Sequence, residues 1–274
     1  MHRFLLLVCL LPALTQAEHL PRWELGAGIA GLHLPDYRGS NESRDYLAPF
    51  PYLVYRGERV RVSEEGIRGL LFESDKVALD LSLSASIPVD SEDNSARQGM
   101  PDLDPAFEIG PNLKVRFAEN SELRSHWELN LPLRAVAATD FSHGTMIGWI
   151  FNPHLDYVRH FPMAGGRLRL VVSWGPLWAS EKYHDYYYEV DAAYATPQRP
   201  AFDARGGYSG NRLLITVGKR LNSSMVLGGF LRYDDLHGAA FEDSPLVKRN
   251  ESLMGGIALT WIFARSAETV AHEK

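Results

Sequence analysis

Apolar and polar residues alternate with a period of two along nearly the whole chain. Between positions 77 and 87 every odd residue is apolar, whereas Asp80, Ser82 and Ser84 lie among the even ones. The same alternation runs through residues 107–117 and 127–135. Because residues i and i+2 share a face only in a strand, each segment presents one apolar and one polar surface. The pattern predicts an all-β protein.

Twelve segments carry this alternation more or less strongly, and several have the ten residues with which a tilted strand crosses a bilayer. They are residues 23–32, 49–56, 58–63, 66–72, 77–87, 107–117, 127–135, 147–157, 168–174, 208–220, 225–233 and 257–263. No window has a convincing helical period. We expect a transmembrane antiparallel up-and-down β-barrel of about 12 strands, occupying residues 18–263.

A soluble barrel or a β-sandwich would also have one apolar face, turned inward. The charged residues in the middle of the strands favour the membrane barrel, because a wet lumen accommodates them. They are Asp80, Lys114, Arg116, Glu128, Arg134, Asp156, Arg167 and Arg169.

The connections between the predicted strands also favour a membrane barrel. If the chain starts in the periplasm, connections after odd strands should be external and long, and those after even strands short. The short ones are residues 57, 73–75, 119–120, 162–165 and 221–222, and the long ones are 33–48, 88–104, 137–145, 179–207 and 235–250. Residues 63–65 are the one exception, since they should be external and are brief. In a soluble barrel, the lengths of successive connections are not expected to alternate in this way.

The first 17 residues have the pattern of a cleaved secretory signal. Arg3 gives a positive start, residues 4–14 are apolar, and Thr15-Gln16-Ala17 offers small residues at the cleavage site. The apolar stretch is shorter than the roughly 20 residues of a membrane-spanning helix. We expect cleavage after Ala17 and export to the outer membrane of a Gram-negative bacterium.

Cleavage would remove Cys9, the only cysteine of the sequence. The mature chain would then have no disulfide, no thiol nucleophile and no cysteine-ligated metal. Loss of Arg3 from the 28 basic residues leaves 27 against 34 acidic ones, a net charge of −7. That balance argues against a nucleic-acid partner.

The sequence offers weak candidates for catalysis. Serine activation needs a histidine at the same site. Ser125 and His126 are adjacent on a predicted strand and therefore face opposite sides. Ser142 and His143 fall in a predicted external loop, and there is no Gly-x-Ser-x-Gly motif. We predict no catalytic residue and no enzyme activity.

Candidates for metal or cofactor binding are equally weak. No His-x-His or His-x-x-x-His pair occurs, and His184-Asp185 and the run DDLH at 234–237 read as solvated loop charge. Gly26, Gly28 and Gly31 have strand spacing with no following helix, so they do not form a phosphate loop. We expect these glycines to relieve crowding in the lumen or to bend the sheet. No metal or cofactor site is predicted.

Two external segments carry unusual composition. Residues 181–194 hold five tyrosines among acidic residues. They are predicted to form an interfacial aromatic girdle with a lid on the barrel mouth, or alternatively to contact lipopolysaccharide, a partner or a solute. Residues 241–247, FEDSPLV, either fold into the lumen and constrict it or merely turn the corner before the last strand.

The order and spacing of several segments resemble the MipA/OmpV family of outer-membrane proteins over essentially all of the mature sequence. They are residues 23–32, LPDYRGS at 34–40, APFPYLVYR at 48–56, LNLPLR at 129–134, GYSG at 207–210, FLRYDDL at 230–236, GAAFEDSPLV at 238–247 and WIF at 261–263. The resemblance implies an outer-membrane barrel that acts as a scaffold for murein-remodelling enzymes. The implied partners are MltA, a lytic transglycosylase, and a penicillin-binding synthase.

Outer-membrane barrels usually end on the aromatic residue that closes the last strand. Here Phe263 is followed by a polar tail, residues 264–274, for which we expect a disordered periplasmic extension.

Function is less constrained than fold. A scaffold is one hypothesis, and a narrow pore or small-solute-binding barrel concerned with permeability or with stress and antibiotic response is the alternative. A lipid-modifying enzyme is a third, for which no site is found. The sequence leaves open whether the lumen is plugged, which partner or solute binds, and the oligomeric state. Lipid and lipopolysaccharide are expected to surround the barrel.

Overall fold

The computed structural model describes residues 18–57, 59–63, 66–163 and 166–272. The predicted signal sequence lies outside this range, as does Glu58 at the start of a predicted strand. The strands are β1 Glu18–Pro21, β2 Trp23–Pro35, β3 Ser43–Arg56, β4 Val60–Ser63, β5 Gly66–Glu73, β6 Val77–Ala85, β7 Ala106–Asn120, β8 Ser125–Thr139, β9 Gly144–Phe151, β10 His154–Met163, β11 Gly166–Ala179, β12 Gly207–Arg220, β13 Met225–Asp235, β14 Glu251–Arg265 and β15 Thr269–His272. Helix α1 spans Glu181–Tyr188, and a 3-10 turn spans Ala192–Tyr194.

Strands β2 to β14 form one antiparallel sheet that closes on itself, because β14 pairs with β2 from Arg265 opposite Glu24 to Gly255 opposite His33. Strands β9 and β10 act as a single crossing. Residues 133–139 of β8 pair with β9, and residues 125–130 of β8 pair with β10. Asn152 and Pro153 separate β9 from β10. The sheet is thus a closed barrel of 12 crossings, which confirms the predicted fold class and strand number.

The alternation in the sequence becomes the two surfaces of the wall. On β14, Ile257 and Trp261 are each 61% exposed on the outer face, while Thr260 and Ile262, on either side of Trp261, are buried toward the lumen. Ile147 departs from the prediction. A register shift between Val136 and Ala137 of β8 disturbs the alternation of β9, and Ile147 is buried against the interior instead of facing lipid.

Four of the five long connections predicted on one side are present, with shifted bounds, as residues 36–42, 86–105, 180–206 and 236–250. The fifth, predicted at 137–145, has only the four residues 140–143, because β8 and β9 extend into it. The exception at residues 63–65 has a structural basis, since β4 has only four residues and makes a short hairpin with β5. Helix α1 was not predicted. No helix in the described ranges is long and apolar enough to span a membrane.

The two ends of the described chain meet outside the barrel. Strand β1 pairs with β15, from Glu18 opposite His272 to Pro21 opposite Thr269. Below them, Arg22 Nη1 donates to Glu268 Oε1 at 2.7 Å. The expectation of a disordered tail therefore does not hold for residues 269–272, and β14 continues two residues past Phe263. We call the pair β1 and β15 the terminal ribbon.

Candidate functional site: a capped, ion-paired lumen

Four of the external connections fold together over the barrel mouth. We call these residues, 36–42, 86–105, 180–206 and 236–250, the cap. Their apolar side chains form a core of their own, in which Leu236, Phe241 and Leu246 are fully buried together with Val190 and Ala204. Burial of this kind stabilises the cap as a packed unit. The segment 241–247 thus lies at the centre of the cap.

Hydrogen bonds tie the connections to one another. Tyr37 Oη donates to the Leu246 carbonyl oxygen at 2.9 Å, and Tyr188 Oη donates to the Arg38 carbonyl oxygen at 3.0 Å. Ser244 Oγ donates to the Tyr188 carbonyl oxygen at 2.6 Å. Since the donors and acceptors come from three different connections, opening the mouth requires several of these bonds to break together.

Helix α1 joins the cap to the inner wall. Its N-cap is Ser180, whose hydroxyl accepts from the Tyr183 backbone N–H. The Tyr183 side chain packs with lumen-facing residues of the upper wall, among them Val136 and Leu177. Burial raises the pKa of the Tyr183 hydroxyl, so the phenol stays protonated.

The close approach of α1 depends on Gly148 of β9. Its φ is +125°, a backbone conformation that L side chains rarely adopt. A Cβ at this position would lie 2.1 Å from Ser180 Oγ and 3.0 Å from the Tyr183 backbone nitrogen. Only glycine has both the conformation and the space that the helix needs here.

The tyrosine-rich segment therefore forms the predicted lid, but not the predicted interfacial girdle, because four of its five tyrosines pack inward. Tyr183 and Tyr188 are buried, and Tyr186 and Tyr187 are partly buried against the cap and wall. Tyr194, in the 3-10 turn, is the exposed member. In this arrangement the cap and α1 pack over the external end of the lumen.

Directly beneath the cap, Asp234 of β13 is surrounded by three arginines. Its Oδ1 lies 2.8 Å from Arg212 Nε, its Oδ2 lies 2.7 Å from Arg232 Nε, and Arg38 Nε approaches Oδ1 at 3.4 Å. We call these four residues the arginine cluster. Arg212 and Asp234 face each other because β12 and β13 pair in that register. Three positive charges against one negative give this level of the lumen an excess of positive charge.

Further ion pairs occupy the rest of the lumen. Arg134 Nη1 donates to Glu108 Oε2 at 2.8 Å, and Lys114 Nζ lies 3.1 Å from Asp80 Oδ2. Near the periplasmic end, buried Glu24 lies 2.9 Å from both Arg56 Nη2 and Arg220 Nη2. The mid-strand charges of the sequence thus face inward, as predicted, and much of the polar interior is cross-linked.

An apolar patch of the lumen lies on β3, β13 and β14. Tyr52 and Val54 of β3, Val226 of β13 and Ile262 of β14 are buried together. Phe50 packs against them, and its ring lies over Gly28, where a Cβ would come within 2.3 Å of Phe50 Cζ. Gly28 thus relieves crowding in the lumen, as predicted. A Cβ at Gly31 would meet nothing within 4 Å, so crowding does not account for that glycine. We call the five side chains the apolar patch.

The structure separates the serine–histidine candidates. Ser125 and His126 are consecutive on β8 and point to opposite faces of the strand. Ser142 and His143 lie in the connection 140–143, where both backbone N–H groups donate to Asp140 Oδ1. Neither pair has the mutual geometry of a nucleophile and its base.

The candidate metal ligands are engaged elsewhere. Asp234 is neutralised by arginines, and Asp235 Oδ1 lies 2.6 Å from His237 Nδ1. His184 is fully buried, and its Nδ1 lies 2.5 Å from the Arg205 carbonyl oxygen. Burial lowers the pKa of His184 to about 4, so the ring is neutral. In the described part of the chain no group of three or more His, Cys, Asp or Glu residues is placed to hold a metal ion.

A closed antiparallel sheet with an apolar outer surface and a polar, ion-paired interior is the architecture of outer-membrane β-barrels, and this chain has it. The family model of MltA-interacting protein MipA matches residues 27–263. The chain therefore belongs to the MipA family, as its resemblance predicted. The comparison with curated proteins finds no match.

Solved outer-membrane proteins share the barrel only loosely with this chain. The outer membrane protease OmpT of Escherichia coli is 8% identical, with 91% of this chain and 99% of OmpT covered and a TM-score of 0.33. Salmonella typhi OmpF in complex with daunomycin is 10% identical, with coverage of 90% and 100% and a TM-score of 0.31. The CymD monoaromatic hydrocarbon channel is 10% identical, with coverage of 91% and 68% and a TM-score of 0.26. Likeness at this level carries no argument about function.

Proposed function

We propose that this barrel is a scaffold for murein-remodelling enzymes, which binds a lytic transglycosylase and brings it near a penicillin-binding synthase. The family description, MltA-interacting protein, supports a partner of the transglycosylase class. The proposal includes residence in the outer membrane of a Gram-negative bacterium, among lipid and lipopolysaccharide, after cleavage of residues 1–17.

The terminal ribbon is the observation that carries the proposal. Short turns alone offer a periplasmic partner little surface, whereas β1 and β15 form a two-stranded sheet at the periplasmic end. Within the described residues each of these strands has one paired edge and one free edge. A free edge recognises an extended segment of a partner through main-chain hydrogen bonds.

The ribbon is also fixed to the barrel, which a docking element requires. The Arg22 N–H donates to the Glu268 carbonyl oxygen at 2.9 Å, and the Ser266 N–H donates to the Trp23 carbonyl oxygen at 3.0 Å. These bonds, together with the Arg22–Glu268 ion pair, hold the ribbon against the start of β2. A partner bound there would be held at a defined distance from the membrane.

The capped mouth argues against the alternative of an open diffusion pore. Solute passage would require the cap to separate from the wall, at the cost of its buried core and hydrogen bonds. Single-channel recording in planar bilayers tests this alternative directly. A steady conductance from the unmodified protein would favour the pore over the scaffold.

The scaffold is tested by pulling down a purified transglycosylase of the MltA class with the full chain in detergent. A chain ending at Arg265, which lacks β15, should bind at least tenfold more weakly. The matched control replaces Asn222 and Ser223, in the exposed turn between β12 and β13, by alanine and should bind like the unmodified chain. Failure of the unmodified chain to retain the enzyme would reject the scaffold, and equal retention by the truncated chain would reject the ribbon as its site.

A further inference from the structure

The barrel wall has a window between β3 and β6. Strand β3 pairs with β2 from Ser43 to Tyr55, but with β4 only at Tyr55 and Arg56. Strand β6 pairs with β7 along its whole length, but its pairing with β5 ends at Leu81. Within the described residues, no strand pairs with the upper part of either facing edge. At about 3.3 Å per residue, the open edge is ~13 Å long on β6 and longer on β3.

Other parts of the chain frame this window. The hairpin of β4 and β5 forms its lower border. Above it, the connection 86–105 crosses to β3, where Arg44 Nη1 donates to Asp93 Oδ2 at 3.1 Å. The Ser95 N–H donates to Glu42 Oε1 at 2.9 Å, which makes a second tie. The window is thus an enclosed opening in the wall.

Two prolines lie on the β3 edge of the window. The Arg56 N–H donates to Arg22 on the β2 side, and the Gly57 N–H donates to Val60 on the β4 side. Backbone N–H groups alternate in direction along a strand, and β3 has no register shift, so odd positions point toward the window. Pro49 and Pro51 occupy two of these positions and have no N–H to leave unpaired. Proline at such positions keeps an edge from pairing with another strand.

The window opens at the level of the lipid-facing band. Leu47 and Leu53 flank the prolines on the outer face, and Leu47 is 76% exposed. On the other side, exposed Leu83 pairs with exposed Ile109 of β7. The outer rim of the opening is therefore made of side chains that face hydrocarbon.

The inner side of the same wall carries the apolar patch. Phe50, Tyr52 and Val54 project into the lumen from β3, between and below the two prolines. Among the ion pairs of the lumen, this patch offers an apolar surface on the same strand that carries the lipid-facing rim of the window. The C=O groups of Pro49 and Pro51 also point toward the opening, where they are available as acceptors for a polar group.

We propose that the window is a lateral portal, through which a single-chain amphiphile passes between the outer membrane and the apolar patch. The chain of the amphiphile would lie on the patch, and its polar group would meet the backbone carbonyls of the β3 edge. This activity is independent of the scaffold, because it uses neither the terminal ribbon nor a protein partner.

The proposal is tested with the full-length protein in phosphatidylcholine nanodiscs and palmitic acid that carries a diazirine on its chain. Photolysis followed by peptide mapping should label residues 50–54 and Val226 in the lumen, in addition to the lipid-facing residues of β14. Ser84→Trp places a bulky side chain on the lumen face of β6 beside the window and should reduce lumen labelling at least fivefold. Ser223→Trp, in an exposed periplasmic turn, is the matched control and should leave it unchanged.

Heat-modifiable mobility on gels verifies that each variant is a folded barrel. If Ser84→Trp does not fold, Ala48→Trp occludes the same window from β3. Labelling confined to lipid-facing residues in the unmodified protein would overturn the portal, as would lumen labelling that neither tryptophan reduces. A dimer cross-linked through the β3 edge would also overturn it, because the edge would then be a strand-pairing surface.

Discussion

The phenyl ring of Phe241 stacks on the phenol ring of Tyr188, with centroids 3.6 Å apart and planes within 5° of parallel. Both side chains are buried, and they come from the connections 236–250 and 180–206. The stack therefore joins the segment before the last strand to the end of α1, at the centre of the cap.

Loss of this stack should loosen the cap and leave the barrel closed. Phe241→Ala removes a fully buried aromatic side chain, a change that costs about 3–5 kcal/mol in protein cores. We expect hydrogen exchange of the backbone amides in residues 236–250 to accelerate, while amides of the β13–β14 ladder stay protected. Phe141→Ala is the control, since Phe141 is 81% exposed, and should change neither. Unaltered exchange in the cap of Phe241→Ala would contradict this role of the stack.

The seating of α1 should depend on Gly148. Gly148→Ala would bring a Cβ into Ser180 Oγ and would also strain the backbone, whose φ is positive. We expect a loss of about 1–3 kcal/mol from the stability of the helix, seen as faster proteolysis between residues 180 and 206. Gly144→Ala, at the start of the same strand, has open space around its Cβ and should leave the rate of proteolysis unchanged. Equal proteolysis of the two variants would show that α1 is not held by this contact.

The arginine cluster should be the most sensitive ion-pair site of the lumen. Asp234→Asn leaves Arg38, Arg212 and Arg232 without their shared counter-charge, and removing one partner of a buried pair costs about 3–5 kcal/mol. The expected result is a lower urea midpoint for barrel unfolding in detergent. Asp243→Asn, at an exposed position of the cap, serves as the control.

The double variant Asp234→Asn, Arg232→Met tests whether charge repulsion among the arginines causes the stability loss of Asp234→Asn. Because it removes one of the three unneutralised cations, it should recover part of the stability lost in Asp234→Asn. If the double variant is no more stable than the single one, repulsion among the arginines is not the cause of the loss.

Local patterns were sufficient to predict the barrel and a lid on its mouth, but not how the cap packs. The period-two alternation and the parity of the connections gave twelve crossings, and even the exception at residues 63–65 marks the short hairpin beside the window. Helix α1 was missed because eight residues hold barely two turns, and its apolar face consists of tyrosines. The sequence did contain a signal for this helix. Ser180 is a typical N-cap residue before Glu181, and Tyr183 and Tyr187 are four residues apart, as on one helix face.

The arginine cluster could not be predicted because it depends on the pairing between segments. Alternation places Arg212, Arg232 and Asp234 on the lumen face, but only the β12–β13 register puts Arg212 opposite Asp234. Arg38 reaches the same carboxylate from a connection almost two hundred residues earlier in the chain. The window likewise follows from where pairing stops, which no single segment encodes.

The pH response of the cap should reveal two opposed titrations in neighbouring residues of α1. Burial lowers the pKa of His184 to about 4, so the unfolded segment binds a proton first and acidification from pH 6.5 to 4 destabilises the cap. Burial, together with Glu189 and the other nearby acids, raises the pKa of Asp185 to about 6. Acidification from pH 6 to 4 therefore stabilises the cap through Asp185, since the folded segment binds that proton first.

In the wild type, the contributions of His184 and Asp185 to the pH dependence of the free energy of opening α1 have opposite signs. The variant Asp185→Asn should keep only the contribution of His184. In that variant the free energy of opening α1 should be higher than in the wild type at pH 7.5 and should fall as the pH drops toward 4. The slope can reach about 1.4 kcal/mol per pH unit for one proton. Hydrogen exchange of α1 amides, corrected for the intrinsic pH dependence of exchange, measures it, and parallel profiles for variant and wild type would rule out the coupling. A variant that instead gains stability toward pH 4 would show that His184 takes up its proton within the folded cap.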